Sequence, residues 1–222
     1  MPYARPRLLD SDGATRNTPN VKLATPSFGS STASRNSLSV ALVFEKLRAA
    51  LDAIGVPYFV TGSFASSAHG IPRSTNDIDI VIAPSPEQLQ RLLQQFPAAE
   101  FATDEEDAFD ALKRKSLFNV IDYATMWKVD FIIKQPTPFD ASRFARRQVV
   151  EIAGVPLQTA SPEDIIITKV WWAKLGESER QLNDAVGILH VQGDNLDVEY
   201  VERWVAVLDL DQQWAKAKER AG

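Results

Sequence analysis

Six residues near the middle of the chain, Asp77–Ile82, constrain the fold more than any other stretch. The run is rich in β-branched residues, which predicts a strand. Alternate residues of a strand share a face, so Asp77 and Asp79 point to one side while Ile78 and Ile80 point to the other. Two neighbouring carboxylates repel each other and resist burial, and a divalent cation relieves both effects. The alternative is that Asp77 ends a turn and Asp79 lies on a solvated edge.

Two further features are of the kind that a phosphate or metal site uses. Gly62-Ser63 follows a predicted strand and opens a helix of small residues, so its backbone N–H groups and hydroxyl suit phosphate. Asp130 is the only carboxylate of another predicted strand, 127–134. Paired carboxylates can hold Mg²⁺, and a third allows a second ion. Two such ions can activate a hydroxyl and stabilise the leaving oxygen of an in-line displacement.

Composition excludes several classes of protein. The chain has no cysteine, which excludes disulfides and thiolate metal sites. Its net charge of −5 argues against a generic nucleic-acid coat. No apolar run approaches the roughly 20 residues of a membrane helix, and the N-terminal segment lacks the apolar core of a signal peptide. We therefore expect a cytoplasmic protein with no membrane partner.

The chain divides into three parts. Residues 1–37 are dominated by Ser, Thr, Asn, Pro and Gly and carry five Arg or Lys against two Asp, which predicts a disordered or loosely docked tail. Helical and strand patterns then alternate over 38–158, and 159–222 is helical throughout. The fold class is therefore α+β.

The periodicity and capping signals place the elements. The predicted helices are 37–54 (or from 39), 63–69, 87–96, one beginning at 104–107, 140–147, 161–174, 177–191, 198–208 and 212–220. The predicted strands are 58–61, 77–82, 117–123, 127–134, 149–152 and 155–158.

Gly62-Ser63, the Asp77-x-Asp79 pair and Asp130 together resemble the nucleotidyltransferase superfamily, which includes DNA polymerase β and the aminoglycoside nucleotidyltransferases. The string Arg73-Ser-Thr-Asn-Asp77 is similar to the AbiEii-type branch, the toxin half of many bacterial toxin–antitoxin pairs. The usual Gly-Gly of that branch is Gly62-Ser63 here.

Two later helical stretches are similar to motifs of the same branch. They are Pro162-Glu-Asp-Ile followed by Lys169, and Arg180 followed by Asp184. The basic residue that usually precedes the aspartate of the last motif is missing here.

The resemblance implies a nucleotidyltransferase-type mixed β-sheet flanked by helices and followed by a C-terminal helical bundle, with a catalytic domain over 38–158 and a helical domain over 159–222. It implies Mg²⁺-dependent transfer of an NMP group from an NTP to an acceptor hydroxyl. RNA (a tRNA 3′ end included), a protein or a small molecule could supply that hydroxyl, and an antitoxin protein is an expected partner. The alternative is a catalytically silent nucleotide-binding or regulatory module with the same fold.

The resemblance also implies roles for residues at the metal and phosphate sites. Asp77 and Asp79 would ligate two Mg²⁺ ions, and Asp130 would complete the site and help to deprotonate the attacking hydroxyl. Gly62 and Ser63 would hold the β,γ-phosphates of the NTP.

The remaining residues implied by the resemblance are basic or lie on the C-terminal helices. Lys169 would reach phosphate or the acceptor, or else extend its ammonium to solvent. Arg73 would contact phosphate, or else pair with a nearby acid as a turn residue. Arg180 and Asp184 share a helix face, so they could pair or line the cleft, or form an ordinary surface pair.

The remaining histidine, tryptophan and arginine residues considered for a functional site are assigned structural roles. The two histidines, His69 and His190, lack ligand spacing and are interpreted as packing or surface residues. Trp171 and Trp172 are expected in the core. A basic helix face is interpreted as solvated, with an RNA-phosphate contact as the alternative; it comprises Arg143, Arg146 and Arg147.

Overall fold

The computed structural model describes residues 31–222, and the side chains from residue 40 onward. The predicted tail therefore lies outside the described residues up to residue 30. The first helix begins at Ser31, earlier than the predicted start at 37 or 39. Val40 is the first buried residue among the described side chains. The apolar spacing indicated the helix only from that point, since the Ser, Thr and Asn residues before it carry no apolar period.

The elements alternate before the last strand and are helical after it. In order they are α1 (Ser31–Ile54), β1 (Tyr58–Thr61), α2 (Gly62–His69), β2 (Asp77–Ile82), α3 (Pro86–Leu93), β3 (Phe101–Ala102), α4 (Glu105–Arg114), β4 (Leu117–Asp122), β5 (Lys128–Ile133), α5 (Pro138–Arg146), β6 (Gln148–Ile152), β7 (Val155–Thr159), α6 (Pro162–Gly176), α7 (Glu179–Gln192), a 3₁₀ turn (Gly193–Asn195), α8 (Val198–Val207) and α9 (Asp211–Ala221). The two-residue strand β3 and the 3₁₀ turn were not predicted.

The seven strands form one mixed sheet in the order β3-β4-β5-β2-β1-β7-β6. The central strand β2 runs antiparallel to β1 and parallel to β5. In this register Asp79 lies opposite Thr61 on one side and Asp130 on the other. The last two strands, β6 and β7, correspond to the predicted strands 149–152 and 155–158 and pair antiparallel as a hairpin.

Each face of the sheet has its own apolar core. On one face Ile78, Ile80 and Ile82 pack with the apolar residues of α1, α3 and α4. On the other face Phe59 and Val81 pack with helices α5 to α9. The alternation of β2 therefore directs Asp79 to the face that the C-terminal helices cover. The expected architecture, a mixed sheet flanked by helices and followed by a helical bundle, is confirmed.

Helix α6, which carries Lys169, begins where its capping signals predict. The Ser161 side chain accepts a hydrogen bond from the Asp164 N–H at 3.2 Å, and Pro162 occupies the first turn. The helix ends at Gly176, after which Glu177 adopts a left-handed conformation. No helix within residues 31–222 has both the length and the apolar character needed to cross a membrane.

Candidate active site

The register of β2 and β5 places two carboxylates side by side. Asp79 and Asp130 are partners on adjacent parallel strands, so both side chains project from the same face. Both are buried, at 8% and 5% exposure. Asp77, two residues earlier on the same face of β2, lies opposite Lys128 of β5. The side-by-side pair in the structure is therefore Asp79 with Asp130, whereas the predicted pair was Asp77 with Asp79; Asp77 lies two residues before Asp79 along β2.

Lys128 is a site residue that the sequence reasoning missed. Its ammonium donates to Asp130 Oδ2 at 3.0 Å. The other oxygen, Asp130 Oδ1, is buried and has no hydrogen-bond partner among the described residues. The available signal was the spacing, because a lysine two residues before Asp130 in a strand lies on the same face.

Gly62 brings the start of α2 against the Asp79 carboxylate. Its φ of +66° lies in the left-handed region that favours glycine. A Cβ at this position would overlap the carboxylate of Asp79. Only glycine therefore allows the backbone at the N-terminus of α2 to approach the carboxylate pair so closely.

Three side chains form what we call the cleft-wall cluster: Arg73, Lys169 and Asp184. Arg73 donates to both oxygens of Asp184, from Nε at 2.8 Å and from an Nη at 2.9 Å. Lys169 Nζ donates to Asp184 Oδ2 at 2.7 Å. An Nη of Arg73 also donates to Ser63 Oγ at 2.5 Å. The cluster thus joins the loop before β2, helix α6 and helix α7 to Gly62-Ser63, the predicted phosphate-binding turn.

Burial and charge act against each other in the cleft-wall cluster. Burial would raise the pKa of Asp184, but hydrogen bonds and charge from Arg73 and Lys169 outweigh it and lower that pKa. Burial lowers the pKa of Lys169, and its pair with Asp184 offsets this only in part. The hydrogen bond to Asp184 raises the pKa of Arg73. Asp184 is therefore a carboxylate held by two cations.

Two close backbone contacts place Arg73 in this cluster. A Cβ at Gly70 would lie 2.8 Å from the backbone nitrogen of Ile188, and a Cβ at Gly187 would lie 3.3 Å from Ile71. The loop before β2 can therefore cross α7 closely, one turn after Asp184. This contact accounts for the pairing of Arg73 with Asp184 across 111 positions of sequence.

The structure gives a different outcome for each of the basic residues Lys169, Arg73 and Arg180. Lys169 is 3% exposed, so it does not extend to solvent. Arg73 pairs with an acid, which was the alternative to a phosphate contact. It also donates to Ser63 of the predicted phosphate-binding turn. Arg180 is exposed and lines the cleft, and the partners of Asp184 are Arg73 and Lys169 instead.

A cleft of about 970 Å³ lies between the sheet and α6. Every predicted site residue except Asp184, whose side chain lies behind Arg73 and Lys169, contributes to its lining. Trp172 also lines the cleft and is partly exposed, so its expected place in the core is wrong. The reason is its position on α6, one turn beyond Lys169.

Arg143 is a second cleft residue that the sequence reasoning placed elsewhere. It is 3% exposed and pairs with Asp140 at 3.1 Å. Its guanidinium lies 4.9 Å from the centre of the Phe59 ring. The interpretation of a solvated basic face is therefore wrong for Arg143, because α5 turns this residue toward the sheet. The interpretation of His69 as a packing residue is confirmed, since it is buried and bonds to the Ala160 carbonyl at 2.9 Å.

No protein-family model and no curated protein matches this chain. Solved structures do match it. The crystal structure of ANT(2″)-Ia in complex with adenylyl-2″-tobramycin is 18% identical, covers 77% of this chain and 97% of its own, and superposes with a TM-score of 0.55. The chain has a nucleotidyltransferase fold.

Two other similar structures have lower TM-scores. The solution structure of ANT(2″)-Ia gives 0.49, at 15% identity over 84% of this chain and 100% of that one. An antigenic nucleotidyltransferase-like protein from Paracoccidioides brasiliensis gives 0.46, at 17% identity over 82% and 92%. The assignment of the nucleotidyltransferase fold rests on the crystal structure of ANT(2″)-Ia.

The fit of a divalent metal to the nucleotidyltransferase fold of this chain can be judged from its oxygen atoms. Asp79 and Asp130 offer hard oxygen donors on adjacent strands, and Asp130 Oδ1 is buried without a partner among the described residues. No group of three or more Asp, Glu or His side chains within residues 31–222 converges on one point. The donors therefore fit a cation at the Asp79–Asp130 pair, and Asp77 is not drawn into the same group.

Proposed function

We propose that this protein is a Mg²⁺-dependent nucleotidyltransferase that moves an NMP group from an NTP to an acceptor hydroxyl. One observation carries the proposal: the in-register pair Asp79 and Asp130 lies beside the Gly62-Ser63 turn, within a cleft large enough for a nucleotide. Carboxylates, a phosphate seat and buried cations are the groups that phosphoryl chemistry requires.

The reaction proposed is an in-line displacement at the α-phosphorus. The acceptor oxygen forms the new P–O bond, the bond from the α-phosphorus to the bridging oxygen breaks, and pyrophosphate leaves. Asp130 accepts the proton of the attacking hydroxyl. Mg²⁺ held by Asp79 and Asp130 would supply the positive charge that neutralises the triphosphate, and Asp77, two residues earlier on β2, would become a further ligand only by moving toward that pair.

The phosphates of the NTP would bind to the N–H groups and the positively charged side chains of the cleft. Ser63 and the backbone N–H groups at the start of α2 hold the β,γ-phosphates. Lys169 and Arg73, both hydrogen-bonded to Asp184, would donate to the same phosphates. Lys128 would exchange its contact with Asp130 for a phosphate or acceptor oxygen when the metal binds.

The charges that line the cleft bear on the acceptor. Among the described lining residues the acidic ones are Asp77, Asp79 and Asp130, all proposed as metal ligands. The basic ones are Arg73, Arg143, Lys169 and Arg180. A polycationic acceptor such as tobramycin would meet no further carboxylate there, so the charges favour a neutral or anionic acceptor, RNA or protein included.

Incubation with each radiolabelled NTP, Mg²⁺ and one acceptor pool at a time tests the proposal. The pools are total RNA, lysate protein and aminoglycosides. We expect label transfer to one of them, lost by at least about a hundredfold in Asp79→Asn and in Asp130→Asn. A matched control is Asp110→Asn, because Asp110 lies on α4 outside the cleft and pairs with Arg114 on the surface.

The outcomes separate the alternatives. Transfer that survives in both cleft variants contradicts the proposed site. Binding of NTP without transfer to any pool identifies a catalytically silent nucleotide-binding or regulatory module with the same fold.

We also propose a toxin role, which rests on the resemblance of the Arg73–Asp77 string to the AbiEii branch. An adjacent gene for a small antitoxin-like protein, and growth arrest relieved by its co-expression, would support this role. Growth arrest that persists in Asp79→Asn would contradict it.

A further inference from the structure

An apolar strip lies beside the carboxylates on the cleft face of the sheet. Val81, Ile132 and Leu117 are register partners across β2, β5 and β4. They lie two residues along their strands from the row that contains Asp79 and Asp130, which is about 7 Å. All three line the cleft. The floor of the cleft therefore has a charged half and an apolar half.

Helix α6 contributes two large apolar side chains, Trp172 and Leu175, to its side of the cleft. Thr168, Trp172 and Leu175 recur at steps of four and three residues, so they share the helix face that lines the cleft. Lys169 precedes Trp172 by one turn, about 4.5 Å along the axis. The indole of Trp172 and the side chain of Leu175 thus stand on the α6 side of the cleft, with the ammonium of Lys169 next to them.

Trp172 differs from the other four tryptophans in its contacts. Trp127 contacts the ring of Phe64, and both Trp171 and Trp204 contact the ring of Phe139. The Lys218 ammonium lies over the ring of Trp214. Trp172 has no ring or cation contact with any described residue, although it is part of the wall of a cleft. Trp172 is partly exposed at this wall, so part of the indole surface is accessible to a ligand in the cleft.

We propose that Trp172 is the stacking platform for the nucleobase of the NTP, and that Val81, Ile132 and Leu117 form the opposite side of this base subsite. The proposal rests on the proposed function, since it places the triphosphate over Asp79 and Asp130. Stacking on an indole is available to every base, and a purine covers more of the ring than a pyrimidine does. The subsite therefore favours purines without selecting one base strictly.

Titration with nucleotide analogues that cannot transfer tests the base subsite. The probes are α,β-methylene-ATP, α,β-methylene-UTP and inorganic tripolyphosphate, each with Mg²⁺. Trp172→Ala should weaken the ATP analogue by about tenfold or more, weaken the UTP analogue less, and leave tripolyphosphate within twofold of wild type. Trp172→Phe keeps a ring and should restore most of the affinity.

The matched control is Trp171→Ala, the adjacent tryptophan, which contacts Phe139 and does not line the cleft. It should lower thermal stability and leave all three affinities unchanged. This variant separates loss of stacking from a general disturbance of α6.

Each outcome has a distinct meaning. Unchanged affinity of Trp172→Ala for the ATP analogue overturns the base subsite, and so does an equal loss for tripolyphosphate. If the wild-type protein binds neither nucleotide nor tripolyphosphate, the base subsite fails together with the proposed function. Binding that depends on Trp172 in a protein with no transferase activity supports the subsite while the proposed function fails.

Discussion

Two carboxylates with enclosed side chains, one on helix α6 and one packed against it, differ in their hydrogen-bond partners. Asp164, in the first turn, accepts hydrogen bonds from the hydroxyls of Tyr200 at 2.6 Å and Ser161 at 3.0 Å. Asp184 reaches α6 from α7 and accepts from the cations of Arg73 and Lys169. Burial raises the pKa of Asp164 despite its hydroxyl partners, whereas the two cations lower the pKa of Asp184. Asp164 is the more deeply buried of the two and Asp184 is paired directly with cations, so burial and partners together set the direction of each pKa shift.

The difference between the partners of Asp164 and those of Asp184 indicates which of the two regions can bind a ligand. Asp164 is 0% exposed, and its hydrogen bonds join α6 to α8 away from the cleft lining. Asp184 holds two cations that line the cleft and that an anionic ligand could engage. Burying charge is unfavourable unless it is paired, so Asp184 lets the fold retain Arg73 and Lys169 at the cleft in the absence of a ligand.

The largest effect that we expect comes from replacing each carboxylate by its amide. Asp184→Asn leaves the buried Lys169 without its hydrogen-bonded carboxylate, so we expect a loss of about 3 kcal/mol in the free energy of unfolding. Asp164→Asn keeps a carbonyl acceptor for Tyr200, so we expect a loss of about 1 kcal/mol. Denaturant unfolding of both variants with a common slope measures the difference.

The double variant Asp184→Asn/Lys169→Met provides the control for this comparison. It removes the unpaired ammonium, so it should recover part of the lost stability without recovering activity. If Asp164→Asn lost as much stability as Asp184→Asn, the proposed difference between a carboxylate bonded to hydroxyls and one bonded to cations would be contradicted.

A smaller change in stability is expected when only Lys169 is replaced. In Lys169→Met the carboxylate of Asp184 keeps both hydrogen bonds from Arg73, so unfolding should lose only about 1 kcal/mol. Nucleotide transfer should fall by about a hundredfold or more, because a phosphate-binding cation is gone. Lys174→Met, on the same helix but paired with Asp209 on the surface, should retain full activity. Equal activity of both variants would remove Lys169 from the site.

The sequence sufficed where a residue type has few structural uses. Ser161-Pro162 predicts the start of α6, and the β-branched run after Asp77 predicts β2 with its alternation. The in-register pairing of Asp79 with Asp130 was not predictable from spacing, because it depends on the parallel pairing of strands whose partner residues lie 51 positions apart. The family resemblance supplied this association before the structure showed it.

Other features depend on tertiary contacts that leave no local pattern. Arg143 is basic and lies on an amphipathic helix, which favours a solvated position, yet Phe59 and Asp140 hold it inside. Asp184 was expected near Arg180 by helix spacing, while the approach of the loop at Gly70 selected Arg73. Trp172 was expected in the core, and only the packing of α6 shows that it is partly exposed at the cleft.

The pH dependence of stability should separate the two carboxylates at acid pH. The folded pKa of Asp184 lies below its ordinary value of 3.8, so the unfolded chain takes up this proton first as the pH falls through that value, and stability is lost. For Asp164 the folded pKa is raised, so the folded state takes up the proton first and the slope has the opposite sign. Unfolding measured between pH 5 and about pH 3 should flatten in Asp184→Asn and steepen in Asp164→Asn. The same slope in both variants would contradict the assignment.

The smallest effect that we expect concerns His69, at the Asp164 end of α6. Burial lowers the pKa of His69, although its hydrogen bond to the Ala160 carbonyl and the charge of Glu163 act in the other direction. The unfolded chain therefore takes up the proton first as the pH falls below 6.5, and stability declines from there to the lower folded pKa. In His69→Gln, whose amide can still donate to Ala160, thermal stability should become flatter between pH 7 and pH 5. His190→Gln, an exposed control, should keep the wild-type slope, and an unchanged slope in His69→Gln would place the acid sensitivity of this end elsewhere.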